Sequence, residues 1–270
     1  MNTILENIFE AKRRRVSECK RAFDADALIE RAVEVRSTKE PHRFLSAFGV
    51  PYDGHRIIAE FKRASPSKGM INDATDPAKM ATAYERGGAC AISVLTEEDF
   101  FKGSLDDLRD VRSAVSLPVL RKDFIFDEFQ IYEAAEAGAD AVLLIVAALD
   151  VEKLRSLSSL AEEQLGIDAL IEVHTREEMN IAKSIGAKLI GVNNRDLNSF
   201  QVSLEVSRRL IDDAPAGATL IAESGLRTRD ELVELESLGY SGFLIGETLM
   251  RSADPTRELK RFVEGAEALV

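Results

Sequence analysis

Eight short apolar runs, rich in β-branched residues, recur along this chain, and a stretch with helical period follows each. They occupy residues 57–61, 91–95, 118–120, 141–146, 169–173, 188–192, 219–222 and 242–245. Runs of this length bounded by turn residues read as buried strands. Between them, residues 127–138 place Phe129, Ile131, Tyr132 and Ala135 on one stripe and close at Gly138. Residues 151–165 and 175–185 repeat the pattern, the second closing at Gly186. Glycine after the last periodic residue is a common helix stop because it takes the left-handed conformation cheaply. A regular strand–helix alternation implies a parallel sheet with helices outside it. Eight units favour a closed (β/α)8 TIM barrel over an open doubly wound sheet, which more often has five or six strands.

The alternation begins near Arg56, so the expected organisation is a barrel over residues 56–270 preceded by a helical extension over residues 1–55. At roughly 27 residues per unit, against ~31 in an average barrel, little room remains for a second domain inside a loop. In the extension, Thr3 and Glu6 have capping-box spacing. Leu5, Ile8, Phe9, Val16 and Cys19 then share one helix face, and residues 25–35 read as a second helix. Two placements fit: packing against one barrel end, or a lid over the mouth. The run Lys12-Arg13-Arg14-Arg15 has no apolar stretch after it, so it reads as a solvated helix face, not a targeting signal.

Composition narrows the partners. The formal charge is −12, although residues 1–50 are slightly basic. An acidic balance argues against nucleic acid. The longest purely apolar run, residues 141–149, falls well short of the ~20 residues of a membrane span. Cys19 and Cys90 have no metal or redox spacing and read as small buried side chains in a reducing, cytoplasmic setting.

Catalytic groups of such barrels sit at the C-terminal strand ends. Strand 1 ends Glu60-Phe61-Lys62, and the two charged residues share one strand face. That face must point into the barrel mouth, because a charged pair is costly against a dry helix layer. Other strands end with Lys122, with Glu172 and His174, with Asn193 and Arg195, with Glu223, and with Glu247. Arg121 and Asp123 have the opposite parity to Lys122 and read as structural neighbours; His174 reads as capping or lining a loop. Ser224-Gly225 and Gly246-Glu247 follow the last two strands, where barrels often hold phosphate on backbone N–H groups. Ser65-Pro66-Ser67-Lys68-Gly69 is a polar loop of mobile character. No GxSxG, HExxH or GxGxxG pattern occurs. What remains is Lys/Glu acid–base chemistry on a phosphorylated small molecule, with a lysine Schiff base as the alternative.

These residues also carry a resemblance. The stretches 58–69, 120–125, 191–197, 222–225 and 244–250 are similar to the signature segments of the indole-3-glycerol phosphate synthase family, and residues 8–20 resemble its leading helix. The resemblance implies ring closure of 1-(o-carboxyphenylamino)-1-deoxyribulose 5-phosphate with loss of CO2 and water, a step of tryptophan biosynthesis. It implies no metal and no organic cofactor. By the same analogy Lys122 is the general acid, its pKa expected to be lowered by partial burial and cationic neighbours. Glu172 assists dehydration and takes the final proton. Glu60 positions hydroxyls and cations, and Lys62 contacts the substrate's anionic groups and is the second candidate for the acid. Asn193 orients the reacting groups, and Glu223 binds a hydroxyl. Ser224, Gly225, Gly246 and Glu247 resemble the phosphate cradle, helped by Lys62 and Ser65, with Glu247 contributing only its backbone N–H. Arg195 binds substrate or braces the mouth, while Phe124 and Leu143 wall the anthranilate ring. The protein is expected to be a monomer or weak homodimer, with contacts to other enzymes of the pathway.

Overall fold

In the computed structural model, which describes residues 4–197 and 199–264, eight parallel strands close into a barrel. They are β1 (Ile57–Phe61), β2 (Ala91–Leu95), β3 (Val119–Lys122), β4 (Ala141–Ile145), β5 (Asp168–Val173), β6 (Leu189–Asn193), β7 (Thr219–Glu223) and β8 (Gly242–Ile245). Each pairs with its neighbour in sequence, and β1 closes the ring against β8 through Ile57↔Phe243. The architecture is therefore the expected (β/α)8 barrel. The strands differ from expectation mainly at their ends. β3 runs two residues further, to Lys122, because Val94↔Arg121 and Leu95↔Lys122 extend its ladder with β2. β4 stops at Ile145, where the chain tightens into a single 3₁₀ turn, Val146–Ala148.

Strand alternation divides the core in two. Outward residues such as Ile57, Ala59 and Phe61 pack against the helices. Inward residues Ile58, Ala91, Leu120, Ala141, Leu170, Leu189 and Ile221 fill the barrel. Among the described residues, eight helices begin at Asp, Ser or Thr caps whose side chains accept a backbone N–H, which satisfies one of the unpaired donors of the first turn. The predicted helix after β3 spans Glu128–Glu136, with a capping box formed by Asp127 and Gln130.

Three helices precede the barrel: α1 (Ile4–Ala22), α2 (Ala25–Ser37) and α3 (Arg43–Ser46). Thr3 of the expected capping box lies outside the described residues. The extension fills both placements left open by the sequence. Phe44 and Phe48, in and after α3, join the inner core cluster with Ile58 and Leu189 and close the N-terminal end. α1 lies at the opposite end, where Phe9 meets Phe124 edge-on with ring centroids 5.4 Å apart.

The basic run of α1 is a solvated face only in part: Arg13 and Arg14 are exposed as expected, whereas Lys12 turns inward. Lys12 is 2% exposed and lies 2.7 Å from Asp123 and 2.9 Å from Glu98. Arg15 pairs with Asp99 at 2.6 Å, and Arg13 stacks over Phe9 and Phe126. A lysine is buried this completely only against a carboxylate of fixed position. Asp123 supplies it, itself held by Arg121 at 3.1 Å. The pairing of Arg121 with Asp123 agrees with their structural reading. Cys90 is buried as expected, whereas Cys19 is only partly covered.

Candidate active site

The inward parity of the strand ends brings the charged residues into one cavity of about 1050 Å³ at the C-terminal face. Glu60, Lys62, Ser65, Lys122, Phe124, Leu143, Glu172, Asn193, Arg195, Glu223, Ser224, Gly225, Gly246 and Glu247 all line it. Ile145, which also has the parity of barrel core, reaches it too.

Its centre is an ammonium among carboxylates. Lys122 Nζ crosses over β4, reaching Glu172 Oε2 on β5 at 3.0 Å and Glu223 Oε2 on β7 at 3.2 Å. The apolar inward residues of β4, Leu143 and Ile145, leave this crossing free of competing charge. Gly191 on β6 makes room for Glu223, since a Cβ there would collide with its carboxylate. Glu60 and Lys62 form a second pair alongside. Asn193 Oδ1 accepts the backbone N–H of Arg195 at 3.0 Å, which fixes its amide plane.

The electrostatics differ from the sequence-based expectation at Lys122. Burial does press its pKa down, but Glu172, Glu223 and Glu60 outweigh burial and raise it, so the amine is a stable ammonium. The expected cationic neighbours are in fact anionic. The two carboxylates then diverge. Burial pushes Glu172 up, yet Lys122 and His174 hold it well below the usual range. Burial, Glu172 and Glu60 lift Glu223 to about 7 against the pull of Lys122. Oε1 of Glu223 is buried with no protein partner among the described residues. The surroundings thus favour the ionised form of Glu172 and draw Glu223 toward the protonated form.

The phosphate-type corner follows β7 and β8. Ser224 takes φ 65°, unusual for a residue with a Cβ, and Gly225 takes φ 83°. Val202 occupies the space that a Cβ at Gly225 would need. Gly246 opens the short helix Glu247–Arg251. The Glu247 side chain is turned aside, 3.2 Å from Arg251 Nε and 3.6 Å from Lys68 Nζ, and its backbone N–H belongs to the first turn of the helix, where no intrahelical acceptor is available. The polar loop after β1 contains a small hairpin, Ala64–Ser65 with Gly69–Met70. Arg195 Nη1 reaches Ser67 Oγ in it at 3.3 Å, which braces the mouth.

Sequence reasoning missed three contributions. Ile4, Leu5 and Ile8 of α1 line the cavity, as do Phe101 and Phe200 from loops. His174 lies in the connection after β5, as expected, but its ring also sits between Glu172 at 3.4 Å and Glu178 at 3.1 Å. The signal was present, since His174 is two residues from Glu172 and so has the same strand parity. Among the described residues no group of three or more His, Cys, Asp or Glu side chains is arranged to hold a metal ion. The inward carboxylates converge on an ammonium instead.

Comparison with known proteins identifies the family. The family described as indole-3-glycerol phosphate synthase matches residues 5–262. The chain is 49% identical to the indole-3-glycerol phosphate synthase of Carboxydothermus hydrogenoformans over 76% of its length and 77% of the relative's. It is 44% identical to that of Syntrophobacter fumaroxidans, covering 94% and 95% of the two chains. The corresponding figures for Bacteroides thetaiotaomicron are 42%, 99% and 100%. Among solved structures, 3-hexulose-6-phosphate synthase from Salmonella typhimurium has a TM-score of 0.61 at 13% identity, covering 77% of this chain and 96% of that one. Thiamine phosphate pyrophosphorylase from Pyrococcus furiosus has a TM-score of 0.57 at 16% identity, covering 77% and 93%. These two likenesses are of fold alone.

Proposed function

The chain belongs to the indole-3-glycerol phosphate synthase family, and from that premise we propose how its residues divide the work. The enzyme is a carboxy-lyase of tryptophan biosynthesis. It converts 1-(o-carboxyphenylamino)-1-deoxyribulose 5-phosphate to indole-3-glycerol phosphate, releasing CO2 and water. The observation that carries the division of roles is the Lys122 ammonium held between Glu172 and Glu223 at the barrel mouth.

In ring closure the carboxylated aromatic carbon attacks the ketone carbon. The carbonyl π pair moves to oxygen, which takes a proton from Lys122. A group kept cationic by its neighbours is always charged for that transfer. CO2 then leaves, and its bonding pair restores the ring. Dehydration breaks the C–O bond of the new hydroxyl, which takes a proton from the Glu223 carboxyl and leaves as water, while Glu172, held ionised, removes the proton on the adjacent carbon. Glu223 binds the departing hydroxyl, and its pKa near 7 suits a shared proton. Asn193 orients the reacting groups, and Glu60 steadies Lys62. The phosphate lies against the backbone of Ser224, Gly225, Gly246 and Glu247, with Lys62, Ser65 and Arg195 supplying charge and hydrogen bonds. Phe124 and Leu143 hold the anthranilate ring.

The same reading extends to setting: a cytoplasmic monomer or weak homodimer that meets other enzymes of its pathway. Among the described residues no helix is long and apolar enough to cross a membrane. The division of labour between the lysines has a kinetic test. Lys62→Met is expected to raise KM about tenfold or more as well as to lower kcat, because it removes a charge that holds the ground state too. A fall in kcat with KM unchanged would reassign Lys62 to the chemical step.

A further inference from the structure

Glu172 has two carboxylate oxygens and two cationic neighbours. Oε2 accepts from Lys122 Nζ at 3.0 Å, while Oε1 lies 3.4 Å from Nε2 of His174. The second contact is at ion-pair distance without hydrogen-bond alignment, so it acts through charge. The other ring nitrogen, Nδ1, lies 3.1 Å from Oε2 of Glu178, and the His174 backbone N–H donates to that same oxygen at 2.7 Å. Glu178 is fixed in turn. It is the third residue of helix Arg176–Ser184, and its N–H donates to the capping Thr175 Oγ1 at 3.2 Å. Its carboxylate bends back over the helix start and grips both the backbone and the ring of His174.

A neutral imidazole offers one N–H and one lone pair. Placed between two carboxylates, it would turn the lone pair against one of them. Only the doubly protonated ring suits both faces. The titratable groups facing the ring are Glu172 from β5 and Glu178 from the following helix; Lys122 and Glu223 stand beyond Glu172. Consistently, these carboxylates override burial and raise His174 to about 10. The ring does not line the cavity.

We propose that His174 is a positioning residue: an imidazolium clamped between Glu172 and Glu178 that keeps Glu172 ionised and aimed while Lys122 gives up and regains its proton. This inference rests on the proposed acid and base roles of Lys122 and Glu172. When Lys122 transfers its proton to the substrate oxygen, Glu172 loses a positive neighbour. With no second cation, Glu172 would capture a proton from Lys122 or solvent and would no longer be free to take one from the substrate. His174 never meets substrate and holds its charge through that step.

The test is a pH profile of kcat and KM for His174→Gln, with Glu172→Gln and the double variant in parallel. His174→Gln is expected to lower kcat about tenfold, equivalent to about 1.4 kcal/mol of lost positioning of Glu172. KM should change less than about twofold, and the acidic limb of kcat should move to higher pH, because Glu172 becomes easier to protonate. The double variant should be no slower than Glu172→Gln. A folded His174→Gln whose acidic limb stays in place overturns the proposal, as does a double variant slower than Glu172→Gln. Near-normal turnover by Glu172→Gln would instead remove the underlying base assignment, and so separates the two failures. The wild-type ring supplies a readout that needs no variant. Nitrogen NMR at about pH 8 should find both ring nitrogens protonated, and a neutral tautomer there would sink the idea.

Discussion

At the scale of single residues, the site is a problem of unequal carboxylates around one ammonium. Glu172 and Glu223 lie at similar distances from Lys122, yet they are driven in opposite directions. Glu172 has a second cation in His174, whereas Glu223 has an unpartnered Oε1 and anionic neighbours. Strand parity made the inward set Glu60, Lys62, Lys122, Glu172, Asn193 and Glu223 legible from sequence. Parity carries no information on which side chains meet across the barrel, and for that reason the sign of the shift at Lys122 was misjudged. The raised pKa of Glu223 has a measurable consequence for stability. A carboxyl lifted from about 4.5 to about 7 favours the folded state below its unfolded value, and that contribution is lost as pH rises through about 7. Between about pH 5 and pH 8, Glu223→Gln should therefore gain stability relative to wild type. Urea melts at both pH values check this, and a difference that does not change with pH counts against it.

At the scale of elements, α1 shows where pattern reading stops. Its apolar face was visible, with Ile8, Phe9 and Val16 buried as expected. Its basic run is solvated at Arg13 and Arg14 but not at Lys12, which pattern alone does not reveal, because a lysine in a run of four cations looks solvated unless the tertiary partner is known. Asp123 is that partner, presented by the loop that follows Lys122. Lys12 and Arg121 outweigh burial and hold Asp123 down to about 2. The pair thus joins α1 to the strand end that carries Lys122. Removing Lys12 leaves Asp123 with Arg121 and Thr96, so the cost is about 1.5–3 kcal/mol, that of a charged hydrogen bond and less than that of a fully stranded buried charge. Lys12→Met should lower stability by that amount in a urea melt, and adding Asp123→Asn should recover much of it. Additive losses in the double variant would show that the two residues act separately.

At the scale of the whole molecule, the fold was the most legible layer. Eight strand-like runs and their helical intervals specify a barrel because only closure leaves no unpaired edge. The acidic overall charge argues against a polyanion as partner but gives no hint of a site for a small anion, which depends on Lys62, Lys122 and Arg195 meeting at one mouth. The extension's double role, closing one barrel end with Phe44 while α1 lines the other, was beyond sequence reasoning because both ends expose inward strand residues that need covering. The central claim is that this mouth performs the ring closure with Lys122 as its acid. Fluorescence of the indole product, formed from 1-(o-carboxyphenylamino)-1-deoxyribulose 5-phosphate by wild type and by Lys122→Met, tests it most directly. Wild type should form product, and a folded Lys122→Met should be slower by about 10²–10⁴, the range for a positioned general acid. Product formation by that variant within about tenfold of wild type would contradict the claim.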